Sequence, residues 1–334
     1  MAFVFFGLIS TLSAPSWQGD HVVAVIPEGV EPTRIAFSDN GDGVAYTLWD
    51  KKQFWVVAGD WKSEASPAPL FPILRPAGKL VYAVFTGGEK LPYVSLKDRV
   101  LFTTTQEWSW GLPGAISADG SIVVSPVHDP KSDRAAVALN GKVQKIHAGI
   151  AAWPVISENG KVFAFALEKK DGHCMVVNDN EGPVFDWVTD PVLTPDGNTV
   201  AYGAESGDHF LLIRGNDRLS VKASPKGAFI SRNGQAIGCW ITTQKGGKRT
   251  SQVLIGEKMG PEFTSIVTPT FTLDGKHVAY RAEGEKGKRF VVIDDQIIPV
   301  GDIQTSPVFV DGDKKVGYGV REGRELWWRF IEVK

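Results

Sequence analysis

A short strand-like triplet, Val-Ala-Tyr or a variant of it, returns along this chain after a glycine turn, with a period of about 39 residues. The two clearest copies read TPDG at residues 194–197 before VAY at 200–202, and TLDG at residues 272–275 before VAY at 278–280. Eight copies begin at Val44, Val81, Val123, Phe163, Val200, Ile237, Val278 and Val316. Self-similarity at this period indicates a repeat protein, and short strands separated by turns favour a β-propeller over a helical solenoid.

One repeat unit can be followed from Pro191. Residues 191–194 form a short apolar strand, and the TPDG turn after it has the composition of a type I turn. Residues 200–203 are rich in strand-forming side chains, and residues 209–213 and 219–221 provide two further strands. The unit therefore predicts an all-β fold whose blades have four strands each.

Eight copies of the unit predict eight blades, with seven blades and irregular ends as the alternative. The chain stops after the third strand of its last unit, at residues 326–333. The apolar stretch HVVAVI at residues 21–26 is predicted to supply the missing outer strand and to close the ring. Closure of this kind removes the unpaired sheet edges of an open array. We expect residues 19–334 to form a single β-propeller domain.

The sequence from Pro269 to Tyr280, Pro-x-Phe-Thr-x-Asp-Gly-Lys-x-Val-Ala-Tyr, resembles the repeat of TolB-like propellers. These are relatives of the WD-repeat fold, and the same repeat occurs in the propellers of prolyl-oligopeptidase-type enzymes. The resemblance covers residues 20–334, although several copies are degenerate: residues 75–78 lack the aspartate, and residues 311–313 displace it. The resemblance implies a ring-shaped binding or scaffolding domain that is often exported in bacteria, and it implies no single activity.

The charge balance and the N-terminus limit the partners and the compartment. The 36 basic and 38 acidic residues give a net charge of −2 without blocks of one sign, which argues against nucleic acid or an anionic membrane as a partner. Residues 1–18 are predicted to be either a signal-like leader or an extra strand, and the apolar run within them is too short to span a bilayer. We expect a periplasmic or secreted protein, with a cytoplasmic location as the alternative. Cys174 and Cys239 fall on non-neighbouring units, so we expect buried free thiols.

Motifs for common catalytic classes are absent from the sequence. It has no Gly-x-Ser-x-Gly elbow, no His-Glu-x-x-His or paired Cys-x-x-Cys spacing, and no phosphate-binding loop. The repeated Asp119, Asp196 and Asp274 recur at the same place in their units, which favours a structural role in the turns. The interpretation is therefore a non-catalytic protein with no catalytic residue, no cofactor and no metal ion.

Tryptophans gather in the segments that lead from the outer strand of one blade to the inner strand of the next. Because such segments cross one face of a propeller towards its central channel, and because Trp is enriched at binding hot spots, they predict a site for a partner protein or peptide. The predicted partner-binding residues are Trp108, Trp110, Trp153, Trp187 and Asp190. Packing of these rings between blades is one alternative. Another is a channel-centred, metal-dependent hydrolase or lyase that uses Asp190 and Glu107, and a third is a subunit that adds surface to a multiprotein complex.

Overall fold

The computed structural model describes residues 19–334 except for short gaps at 39, 68, 76–78, 85–92, 97–98, 104–108, 111–114, 130, 133, 148, 151–152 and 246. The described residues form eight antiparallel sheets that follow one another along the chain. The predictions made for residues 1–18 lie outside this part.

Each sheet is one blade, and in the first seven blades the strands follow one another from the channel to the rim in chain order. Blades 1 and 2 contain β2 (Glu31–Phe37), β3 (Val44–Trp49), β4 (Phe54–Ala58) and β5 (Trp61–Lys62), then β6 (Leu70–Arg75), β7 (Lys79–Val84), β8 (Tyr93–Leu96) and β9 (Arg99–Thr103). Blades 3 and 4 contain β10 (Ser109–Trp110), β11 (Ala115–Ile116), β12 (Val123–His128), β13 (Ala135–Leu139) and β14 (Lys142–His147), then β15 (Val155–Ile156), β16 (Phe163–Lys169), β17 (Gly172–Val177) and β18 (Asn180–Phe185).

The second half of the ring repeats this order. Blades 5 and 6 contain β19 (Trp187–Val188), β20 (Val192–Leu193), β21 (Val200–Ser206), β22 (His209–Arg214) and β23 (Asp217–Val221), then β24 (Pro225–Ile230), β25 (Ile237–Lys245), β26 (Lys248–Ile255) and β27 (Lys258–Met259). Blades 7 and 8 contain β28 (Ser265–Phe271), β29 (Val278–Glu283), a 3-10 turn (Glu285–Gly287), β30 (Arg289–Ile293) and β31 (Gln296–Val300), then β32 (Asp302–Ile303), β33 (Val308–Val310), β34 (Lys315–Glu322), β35 (Glu325–Glu332) and the N-terminal β1 (His21–Val25).

The N-terminal strand closes the ring, as the sequence predicts. β1 pairs antiparallel with β35, with His21 opposite Trp328 and Val25 opposite Glu325. The Asp20 carboxylate secures the start of the strand, because it accepts hydrogen bonds from the Arg329 guanidinium and from the backbone N–H of Phe330, both at 2.9 Å. Seven blades are thus made of consecutive chain, and the eighth joins both ends of it.

The turn after each inner strand is held by its own side chains. In blade 5 the Thr194 hydroxyl donates to Asp196 Oδ1 at 2.6 Å, and that oxygen also accepts the backbone N–H of Asn198 at 3.0 Å. Gly197 closes the turn at φ +75°, a conformation that other residues rarely adopt. The same Ser/Thr-to-Asp/Asn bond is present at Ser117–Asp119, Ser157–Asn159, Ser231–Asn233 and Thr272–Asp274. The turn aspartates therefore act as structural acceptors, as predicted.

The repeated triplet packs at the interfaces between blades. Tyr280 of blade 7 lies in one buried cluster with Phe229 and Val253 of blade 6, and Tyr202 of blade 5 lies in another with Met175 of blade 4. Cys174 and Cys239 are buried free thiols in separate clusters, as expected from their spacing. Within the described residues, none of the helical structure has the length and apolar character that a membrane crossing requires.

Candidate functional site

The candidate site lies where the inner strand of blade 5 is interrupted. β19 ends at Val188 and β20 begins at Val192, yet both pair with β21. Thr189 preserves the contact with β21, since its N–H donates to the Gly203 carbonyl and its hydroxyl accepts the Gly203 N–H, both at 2.9 Å. A break in an inner strand re-aims the residue that follows, which here is Asp190.

Asp190 and Trp153 occupy equivalent positions on neighbouring blades. Leu193 pairs with Val200, and Ile156 pairs with Phe163, the first residue of the triplet in each unit. Counting back three residues from each gives Asp190 in blade 5 and Trp153 in blade 4, and a proline follows both. The Asp190 carboxylate accepts a hydrogen bond from the backbone N–H of Trp153. Two sequence-predicted site residues are therefore in direct contact across a blade interface.

The surroundings of Asp190 disfavour its charged form. Its surface is exposed, and nevertheless enclosure by protein raises the pKa of the carboxyl, an effect larger than the opposing hydrogen bond from Trp153. A carboxyl that contacts solvent while protein surrounds it is typical of a concave wall, which agrees with a position at the channel mouth. Perturbed carboxyls of this kind concentrate at functional sites, although structural causes also occur.

Trp187 lies three residues before Asp190 and bridges two blades. Its side chain is 43% exposed, and its ring meets the ring of His173 in blade 4 edge-on, with centroids 4.7 Å apart. His173 is fixed in turn by a hydrogen bond of 2.9 Å between its Nδ1 and the Asp186 carbonyl oxygen. The Trp153 side chain, which is 50% exposed, has the larger free surface. The Trp187 ring can therefore both pack between blades 4 and 5 and contact a partner.

Two charged residues near Trp187 were missed by sequence reasoning. Glu205 is the β21 residue opposite Trp187, and it accepts a hydrogen bond from the Ser224 hydroxyl. Lys226 stands at a bulge in the inner strand of blade 6, between Pro225 and Gly227, and its ammonium lies 3.6 Å from Glu205. Only strand register brings these residues together, so no local sequence signal identifies them.

The remaining predicted residues are Trp108, Trp110 and Glu107. Trp108 and Glu107 lie outside the described residues, and Trp110 ends β10 on blade 3. A further exposed tryptophan, Trp49, stacks on Phe54 across the β3–β4 hairpin of blade 1, far around the ring from blades 4 and 5. In the described part of the chain, no three His, Cys, Asp or Glu side chains are grouped as metal ligands would be.

The opposite face differs in character. There the turn of blade 4 contributes Glu158 and the turn of blade 6 contributes Arg232, and the two side chains form a two-pronged ion pair at 2.6 and 2.9 Å. This ion pair joins blades 4 and 6 across the turn of blade 5. The turns that end the inner strands therefore lie close together near the axis of the ring. One face therefore presents an ion pair near the axis, and the other presents tryptophan and carboxyl.

Comparison with known proteins supports the fold. No family model matches the chain, and no curated protein matches it in sequence. Among solved structures, the Dos1 propeller aligns with a TM-score of 0.53 and 9% identity over 93% of this chain and 94% of that one. An oligogalacturonate lyase in complex with manganese aligns with a TM-score of 0.51 and 12% identity over 89% and 88%. TolB from Acinetobacter baumannii gives 0.36 at 15% identity over 91% and 79%.

These similarities define a class of protein and no more than that. The chain is a β-propeller whose ring is closed by its N-terminal strand. At identities this low the resemblance concerns the fold, and one fold carries many functions. The propeller fold that the repeat predicts is confirmed.

Proposed function

We propose that this propeller is a non-catalytic scaffold that binds a partner protein or peptide on the face bearing Trp153, Trp187 and Asp190. The observation that supports it is the contact between Asp190 and the backbone of Trp153, beside two exposed indole rings on neighbouring blades. The proposed binding residues also include Trp108 and Trp110, which precede this part of the chain in the sequence. The protein acts as one subunit of a larger complex.

The chemistry of the site favours a cationic side chain in the partner. Asp190 has one backbone donor and a raised pKa, so a lysine or arginine that approaches it gains a charge partner in a poorly solvated position. The exposed faces of Trp153 and Trp187 can hold the same cation or the apolar stem beside it. Glu205 is engaged by Ser224 and Lys226, which leaves Asp190 as the carboxylate we assign to the partner.

Replacement of both tryptophans tests this proposal. In protein tagged and purified from its native host, Trp153→Ala with Trp187→Ala is expected to remove one or more co-purifying partners identified by mass spectrometry. Trp49→Ala is the matched control, because Trp49 has a similar exposed fraction, 41%, on blade 1. If the folded double variant retained every partner that the Trp49 variant retains, the proposed face would be wrong.

A second candidate function is a channel-centred hydrolase or lyase that uses Asp190, with Glu107 as a second carboxylate. The raised pKa of Asp190 favours it, and one structure of similar fold is a lyase in complex with manganese. Stoichiometric Mn²⁺, Ca²⁺ or Zn²⁺ in the purified protein, lost in Asp190→Asn, would support the enzyme over the scaffold. Metal content that is absent or unchanged in the variant would argue against it.

We also infer that the protein is exported to the periplasm or secreted. The small-residue end of the apolar segment at residues 1–14 motivates this proposal. Mass spectrometry of the mature N-terminus tests it: cleavage near Ala14 supports export, and an intact Met1 in protein recovered from the cytoplasm contradicts it.

A further inference from the structure

A cavity of about 360 Å³ opens between blades 6 and 7, on the face opposite the tryptophans. The turn of blade 7 and the last turns of both blades form its rim, and its floor reaches into the buried cluster between the two blades. Its volume is in the range of small-molecule sites, which are mostly apolar with a few placed polar groups. The apolar walls are Val253, Ile255, Phe271 and Val278.

The floor of this cavity carries a polar atom without a partner. Tyr280 is 1% exposed, and its hydroxyl has no hydrogen-bond partner among the described residues. Gly260 leaves the space beside it, since a Cβ atom at that residue would lie 3.3 Å from the hydroxyl oxygen. Buried hydroxyls are nearly always paired, because an unpaired one destabilises the fold. The Tyr280 hydroxyl is therefore the feature of this cavity that most needs a ligand.

The equivalent place between blades 4 and 5 is occupied by the chain itself. There Arg218 lies over the ring of Phe185, 5.7 Å from its centroid, beside Tyr202. Register places Arg218 two strands outward from Tyr202, through Ile213. The same count from Tyr280, through Val292, ends at Ile297. Blade 7 thus has no guanidinium at the position where blade 5 has one.

The charges around the cavity determine what it can accept. The rim ammonium of Lys258 pairs with Asp295 at 2.7 Å, and His277 Nδ1 lies 2.8 Å from Asp294. Lys276, the other cationic residue that lines the cavity, pairs with Asp274 at 2.9 Å. Because both ammonium groups already have carboxylate partners, the rim offers little attraction to an anion. Burial first, and the negative charge of Asp295 second, raise the pKa of Tyr280, so its hydroxyl stays protonated and can donate. The same charge of Asp295 disfavours an anion beside it.

We propose that this cavity binds a small uncharged molecule whose apolar body packs against Val253, Phe271 and Val278 and whose carbonyl oxygen accepts a hydrogen bond from Tyr280. The site is independent of the tryptophan face, since the two lie on opposite sides of the ring.

Acetophenone tests the proposal, with α-methylstyrene as a probe of the same shape that lacks the carbonyl oxygen. Binding is followed by protein NMR, where acetophenone is expected to shift the amide signals of Gly260 and Val278. In Tyr280→Phe the affinity for acetophenone is expected to fall about two- to tenfold, the effect of one hydrogen bond. The affinity for α-methylstyrene should stay the same, and Tyr202→Phe, the equivalent change in blade 5, should leave both affinities unchanged.

Three results would overturn the proposal. If neither probe binds, the Tyr280 hydroxyl holds only water. Equal affinities of the wild type and Tyr280→Phe for acetophenone would show that the Tyr280 hydroxyl does not bind the carbonyl oxygen. Amide shifts confined to other blades would show that acetophenone binds elsewhere. Gly260→Ala is a second variant in case Tyr280→Phe does not fold: its methyl group narrows the floor and should weaken both probes. The Trp153/Trp187 double variant should bind acetophenone normally, which separates this site from the partner surface.

Discussion

At the scale of single residues, the raised pKa of Asp190 means that its ionised carboxylate destabilises the folded protein. In the folded protein the carboxyl binds its proton more tightly than in the unfolded chain, where its pKa is ordinary. The protonated carboxyl therefore contributes stability that is fully present below the ordinary pKa. That stability is lost as the pH rises through the raised pKa and the carboxyl ionises. A destabilising charge at an exposed mouth agrees with selection for binding, because functional sites often sacrifice stability.

Replacing that charge should stabilise the protein and weaken its function. Asp190→Asn keeps an oxygen for the Trp153 N–H, so at pH 7 we expect thermal unfolding at the wild-type temperature or above it, together with loss of a cationic partner. Differential scanning calorimetry checks the first expectation and co-purification checks the second. Asp208→Asn, in the exposed hairpin of the same blade, should change neither. A marked loss of stability in the Asp190 variant would mean that its charge is structural.

The turn aspartates lead to the opposite expectation. Hydrogen bonds from Thr194 and from the backbone and side chain of Asn198 hold the pKa of Asp196 below its usual value. This contribution to stability is present above the ordinary carboxyl pKa and is lost as the pH falls through the lowered one. Asn occupies the same turn position at residues 159 and 233. At pH 7 we expect Asp196→Asn to lower the unfolding temperature only slightly, because its amide oxygen still accepts hydrogen bonds, and Asp196→Ala to lower it more. Similar temperatures for the two variants would contradict this.

At the scale of elements, strands and turns can be predicted from the sequence where the residues that determine them are close together in the chain. The TPDG turn is predictable because Thr194, Asp196 and Gly197 make its bonds among themselves. The closing strand is predictable because the last unit has one strand too few. Glu205 and Lys226 are not predictable, because they meet only through the register of two blades. That blade 7 has Ile297 where blade 5 has Arg218 likewise appears only when the strands of the two blades are aligned.

The closing strand leads to a prediction about truncation. Removal of residues 1–26 deletes β1 and the Asp20 contacts, and it exposes the edge of β35. We expect a lower unfolding temperature and self-association, since unpaired edges template strand addition. Removal of residues 1–18 is the matched control, because it leaves Asp20 and β1 in place. Light scattering and thermal unfolding check both variants, and a monomeric longer truncation with unchanged stability would show that β1 does not close the ring.

At the scale of the whole molecule, the first and last blades of the chain meet at one interface, and the buried Trp328 is one of the side chains that pack there. Trp328 of blade 8 is 1% exposed and packs on Phe37 of blade 1 with ring centroids 5.7 Å apart. Gly317 lies against the same ring, since a Cβ there would come within 2.7 Å of it. In repeat proteins each unit is stabilised by its neighbours, so this interface decides whether the array is a ring or an open series.

Trp328→Ala is therefore expected to be more harmful than its position near the chain terminus suggests. Removal of a buried Trp costs about 3–5 kcal/mol. Trp49→Ala, at a half-exposed tryptophan on blade 1 that stacks on Phe54, should cost markedly less, on the order of 1 kcal/mol. Trp328→Phe should cost less than Ala, because the indole Nε1 has no partner among the described residues and the smaller ring gives up only part of the contact. Urea unfolding followed by fluorescence and by circular dichroism gives these free energies where the two transitions coincide. Equal losses for the Trp328 and Trp49 alanine variants would show that the stability of the ring does not depend on the interface where its ends meet.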